Sequence, residues 1–180
     1  HDARSIYGDF DAMLKINPLG RIPSLVLDDG EVLLDSVSIL DWMDQEVGPD
    51  RSLLPAGGAE RRHVLRRVTL ATGIIDKAAA AAQERLLRPA AFRWPEWIER
   101  CRGQAAGAIE ALAAEDWPEA ARLDQAQITT ACVVRYLRMA IPELIPPGRY
   151  PSLERLSDRC EAMVEFQATY PAEWAIPSGL

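Results

Sequence analysis

The chain has 180 residues, 48% of them apolar, enough for one large domain or two small ones with a sizeable core. Its 20 Lys and Arg against 27 Asp and Glu leave a formal charge of −7, a poor match for nucleic acid or an anionic membrane. Cys101, Cys132 and Cys160 are odd in number and widely spaced, without a CxxC or a Cys/His cluster, so no metal site or disulfide framework is expected and free thiols fit a cytoplasmic protein.

The first residue is His1, and Ile6 and Tyr7 arrive with no strand pattern before them, so the N-terminus reads as cut or processed. No secretory signal is read there, and no apolar run approaches the roughly 18–20 residues of a membrane span. Asp9 to Ile16 is helix-like and stops at Asn17-Pro18, because proline forces the residue before it out of helical geometry. Ser24 to Leu27 and Glu31 to Leu34 read as two short strands around the turn Asp28-Asp29-Gly30. Two antiparallel strands alone are marginal in water, so more sheet is expected upstream. Ser36 is placed to cap a helix carrying Ile39, Leu40, Met43 and Val47, which Gly48-Pro49 ends.

Residues 48–58 are rich in Gly, Pro and Ala and read as a linker, giving a small domain over 1–47 and a helical one over 59–180. Val64, Val68, Ala71, Ile75, Ala78, Ala82 and Leu86 mark one amphipathic stripe, and the Arg61-Arg62 and Arg66-Arg67 pairs beside it read as a solvated face. A second helix starts at Trp94-Pro95 and runs through Ile98, Cys101, Ala105, Ala108 and Leu112. Gly103 and Gly107, four apart on it, would let another helix approach closely. Asp124 and Gln127 have capping-box spacing, with Leu123 and Ile128 as a hydrophobic staple, before a helix to Ile141 that is apolar nearly all round. A last helix follows Pro151, with Leu153, Leu156, Cys160 and Met163 inward.

Two spots carry candidate chemistry. In Gly20-Arg21-Ile22-Pro23-Ser24 a proline enters a strand directly. A cis Ile22-Pro23 bond would turn the Ile22 backbone outward to pair with an extended peptide, although an ordinary trans proline at a strand edge fits the local sequence too. At Asp35-Ser36, a strand meets a helix start, where free N–H groups favour a carboxylate. The Ser36 hydroxyl would add a donor and the Asp35 carboxylate could hold an ammonium, although a plain Ser cap behind a solvated Asp also fits. The hairpin brings Pro23 and Asp35 to one edge, which suits a peptide-like ligand with a free α-amino acid end. Glutathione has that form.

The run Asn17-Pro18-Leu19-Gly20-Arg21-Ile22-Pro23-Ser24-Leu25, then Asp28-Asp29-Gly30, then Leu34-Asp35-Ser36, resembles the N-terminal domain of the glutathione transferases. The capped central helix and Tyr150-Pro151-Ser152-Leu153 resemble that family's helical domain, so the likeness covers nearly all of the chain. It implies an α+β/α fold, with a partial thioredoxin-like domain lacking its first strand and helix, followed by an all-α helical bundle. It implies that Ile22 pairs its backbone with the glutathione cysteine, that Pro23 is the family's cis proline, and that Asp35 and Ser36 bind the γ-glutamyl group. Lys15 and Arg21 are weaker candidates for the glycyl carboxylate. The Ser, Tyr or Cys that activates the thiol is expected upstream of His1, and Tyr7 is rejected for that role. The activity implied is conjugation of the glutathione thiolate to a small hydrophobic electrophile, or related glutathione-dependent chemistry, by a homodimer. The alternative is a non-catalytic glutathione-binding or protein-interaction module of the same fold.

Overall fold

The computed structural model describes residues 10–119 and 122–170, so Ile6 and Tyr7 lie outside the described residues. Contacts divide the chain into two units between Leu54 and Pro55.

In the first unit, α1 (Phe10–Ile16) ends at Asn17, followed by β1 (Ser24–Val26), β2 (Val32–Leu34) and α2 (Asp35–Val47). The two strands pair antiparallel with Ser24 opposite Leu34 and Val26 opposite Val32. The turn closes as the sequence requires: Gly30 N–H donates to Leu27 O at 3.0 Å, Gly30 takes φ 90°, and the Asp29 carboxylate accepts from Glu31 N–H at 2.9 Å. At the far end of α2, Asp44 accepts Leu53 N–H at 2.5 Å and Leu54 N–H at 3.1 Å, folding the chain back after Gly48.

The second unit holds α3 (Gly58–Leu86), α4 (Pro95–Ala113), α5 (Gln125–Ala140), α6 (Pro151–Glu161) and the short α7 (Val164–Ala168). Its core joins α3, α4 and α5 through Ala71, Ile74, Ala105, Ile109, Leu112, Val134 and Leu137, and Leu153 of α6 packs onto it. The box at the start of α5 is present in both directions: Gln127 N–H donates to the Asp124 carboxylate at 2.8 Å and Asp124 N–H to the Gln127 side chain at 3.0 Å. Leu123 and Ile128 share one apolar cluster, as a staple requires.

Three expectations need correction. Arg67 is 7% exposed, not on a solvated face. Its Nε and Nη2 donate to Glu115 at 3.1 and 2.8 Å, and its guanidinium lies over the Trp117 ring, which covers the charge and meets its donors. The α3 stripe rotates toward Ile74, leaving Leu86 exposed at the helix end, and Met163 is likewise exposed just past the end of α6. Gly103 and Gly107 are exposed, and among the described residues no neighbouring element comes within 4 Å of where their Cβ atoms would stand, so their face of α4 is open.

Candidate functional site

Asn17 is the internal brace of the segment leading into β1. Its side chain is 1% exposed, and its Nδ2 donates to Arg21 O at 2.8 Å and to Ser24 Oγ at 3.2 Å, while its Oδ1 accepts Leu19 N–H at 2.9 Å. A buried amide with both ends satisfied rigidifies the loop it crosses. Gly20, inside that loop, has φ 60°, and a Cβ there would stand 2.4 Å from the Phe10 ring, so turn geometry and space both favour glycine. The loop presents Arg21, Ile22 and Pro23 at the surface, with a cis bond between Ile22 and Pro23. Ile22 is 60% exposed, and neither its N–H nor its C=O has a hydrogen-bond partner among the described residues. The backbone of Ile22 is therefore free to pair with another extended chain.

Across the hairpin, Asp35 N–H donates to Pro23 O at 3.2 Å, so the two halves of the candidate site are bonded at one edge. Asp35 has φ 69°, the one non-glycine residue of positive φ among those described. Asp tolerates this region better than most residues, but such a conformation at an exposed strand–helix junction is the kind of strain found at ligand sites. Ser36 is not the cap that its position suggests, because α2 already begins at Asp35 and its N-cap is Leu34, with no side-chain cap bond. Both Ser36 donors instead meet the Asp35 carboxylate, the N–H at 2.6 Å and the hydroxyl at 3.2 Å. The hydroxyl of Ser38 donates to Leu34 O and secures the first turn.

The Ser36 donors thus hold a carboxylate of their own chain. The Ser36 N–H and hydroxyl form a two-donor cradle at a helix start, where the dipole favours negative charge. Of the weaker candidates, Arg21 stands 3.7 Å from Asp35, an exposed pair of small energetic weight. Lys15 is exposed in the last turn of α1. The structure thus brings together Pro23, Asp35 and Ser36, with Ile22 preceding the proline. In sequence Asn17 marks a helix stop and opens the family run; its bracing role emerges only from the fold, which sets it against Arg21 O and the Ser24 hydroxyl seven residues on.

Among the described residues, no group of three His, Cys, Asp or Glu is placed to hold a metal ion, and no helix is long and apolar enough to cross a membrane.

Residues 4–51 match the family model described as the glutathione S-transferase N-terminal domain. A crystal structure of a glutathione transferase family member from Pseudomonas fluorescens Pf-5, with bound glutathione, is 35% identical to the chain. The match covers 90% of this chain and 79% of that one, with a TM-score of 0.82. Among curated proteins, the uncharacterized GST-like protein YibF of Escherichia coli K12 is 27% identical over 172 residues, spanning 92% of this chain and 82% of that relative. Maleylacetoacetate isomerase of Pseudomonas aeruginosa is 27% identical over 176 residues, 89% of this chain and 76% of the enzyme.

Proposed function

The chain belongs to the glutathione transferase family, and on that premise we propose that it binds glutathione at the edge of the β1–β2 hairpin and joins the glutathione thiolate to a small hydrophobic electrophile. In this reading the free N–H and C=O of Ile22 pair with the cysteinyl backbone, beside Pro23. Ser36 takes the γ-glutamyl carboxylate on its N–H and hydroxyl, and Asp35 takes the ammonium. Lys15 or Arg21 meets the glycyl carboxylate. The observation that carries the reading is the two-donor cradle at Ser36, bonded through Asp35 to the proline that follows an unpaired backbone. It is supported by the glutathione bound in the Pseudomonas fluorescens relative. The described residues are assigned to holding the tripeptide, not to activating its thiol. Lowering a thiol pKa is a separate task, because the thiolate is the nucleophile.

The likeness to maleylacetoacetate isomerase favours a second reading, in which bound glutathione serves an isomerisation. The hairpin site is the same in both. The proposal places the protein in the cytoplasm as a homodimer, with the open Gly103/Gly107 face of α4 as the contact. A monomer in light scattering at micromolar concentration would contradict the dimer.

The test of binding is retention of the full chain on immobilised glutathione and elution by free glutathione, compared with Ser36→Ala and Asp35→Asn. Retention that drops in both variants supports the site, and retention equal to the parent in both rejects it. Turnover with an aromatic halide against turnover with a cis-configured enone acid then separates conjugation from isomerisation.

A further inference from the structure

The link between α3 and α4 inverts the character of the chain. Residues 85–94 read Arg-Leu-Leu-Arg-Pro-Ala-Ala-Phe-Arg-Trp, three arginines and no acid in a chain of net charge −7. Their large apolar side chains face outward: Phe92 is 73% exposed, Trp94 61%, Leu87 57% and Leu86 47%. The loop is firmly built, so this exposure is a held arrangement. Buried Glu84 accepts Trp94 N–H at 3.0 Å and Arg88 at 2.8 Å, and these two donors, Trp94 foremost, hold its carboxyl below the usual glutamate range. Arg93 Nε donates to Arg88 O at 3.1 Å, Phe92 N–H donates to Pro89 O at 2.9 Å, and the Trp94 ring stacks on Trp97 with centroids 6.2 Å apart.

A cluster of aromatic and aliphatic side chains fixed outward on a loop marks a contact surface rather than the scattered exposure normal for a monomer. Charge selects the occupant. Arg88 is tied to Glu84, but Arg85 and Arg93 have no acidic partner among the described residues, and Glu96 and Glu99 stand beyond the loop on α4. A second copy of the same tip would set arginines against arginines, which disfavours self-pairing. An anionic lipid surface matches every component. Trp and Phe settle at the headgroup level, leucines enter the acyl boundary, and arginines reach the phosphates. We propose that the α3–α4 tip is a peripheral anchor that rests on anionic phospholipid. The chain-wide negative charge opposes approach from a distance and the tip is its local exception, which makes the association reversible and sensitive to salt.

The experiment is co-sedimentation of the full chain with vesicles of phosphatidylcholine containing roughly one-third phosphatidylglycerol, against pure phosphatidylcholine. Binding roughly 25-fold stronger to the anionic vesicles is expected, from the two arginines without an acidic partner at about fivefold each. The Arg85→Gln/Arg93→Gln pair should lower it by roughly 25-fold, taking about fivefold for each arginine near such a surface. Phe92→Ser, whose exposed ring can be lost without opening a core, should weaken it as well. Both variants should keep the parent circular dichroism and glutathione retention. Absence of binding to the anionic vesicles, equal binding to both vesicles, or arginine variants that bind like the parent each overturns the proposal. So does concentration-dependent self-association that Phe92→Ser abolishes, because that result makes the tip a protein interface.

Discussion

Replacing Ser36 by alanine removes one hydroxyl from the cradle and leaves the backbone N–H in place. In the free protein that hydroxyl donates to the Asp35 carboxylate at 3.2 Å in an exposed setting, where water substitutes for it at little cost. Folding stability should therefore change by less than about 0.5 kcal/mol, the range of surface substitutions away from special features. In the proposed complex the same hydroxyl faces a ligand carboxylate, and hydrogen bonds to charged groups contribute about 1.5–3 kcal/mol. The site is open to solvent, so the lower half of that range applies, and the dissociation constant for glutathione should rise by roughly 10- to 40-fold. Isothermal titration calorimetry with the full chain reads the affinity, and thermal unfolding without ligand reads the stability. A change in affinity below about twofold, with folding intact, would refute the placement of the γ-glutamyl carboxylate on Ser36.

Ile22→Ala should leave glutathione affinity within about threefold, because the side chain is 60% exposed and the proposed contact is made by the backbone; a large loss on the same titration would assign the contact to the side chain. Asn17→Ala should cost about 1–3 kcal/mol in the unfolding free energy of the first unit and weaken glutathione retention, since it leaves Leu19 N–H without its partner and takes the shorter of two donors from Arg21 O, which keeps Ser24 Oγ at 3.2 Å; denaturant titration checks it. Glu115→Gln should destabilise the second unit by about 2–3 kcal/mol, because Arg67 at 7% exposure would face a neutral partner. The Arg67 hydrogen bond, then that from Arg66, holds the Glu115 carboxyl below its ordinary value of 4.5. The stabilisation is therefore complete above about pH 4.5 and is lost as pH falls through the lower folded value, so parent and variant should converge in acid unfolding curves.

The sequence showed best where local chemistry alone decides structure. Asp28-Asp29-Gly30 set the hairpin, Gly48 ended α2, and Asp124 with Gln127 set the start of α5, each through contacts only a few residues apart. Pro23 and Asp35 were expected at one edge because a tight hairpin leaves strand ends no other place, and the Asp35–Pro23 hydrogen bond shows them there. What the sequence hid depends on distant partners. Arg67 reads as one more surface cation until Glu115 and Trp117, about fifty residues away in sequence, fold over it. Ser36 reads as a cap because serine before a helix usually is one. The positive φ of Asp35 moves the helix start and turns both Ser36 donors toward its own neighbour, and no side-chain pattern announces a backbone angle. Leu86 falls on the helical stripe by spacing, but α3 ends there and the side chain is left 47% exposed.

Everything proposed for the chemistry requires that a thiol tripeptide lie along the hairpin edge. Titrating the isotope-labelled full chain with reduced glutathione and following backbone amides by NMR tests this directly. The account predicts that the amide signals of Ile22 and Ser36 move together, saturably, and further than those of α4 or α6. Saturable shifts confined to the second unit, or none at either residue with glutathione in excess, would contradict it.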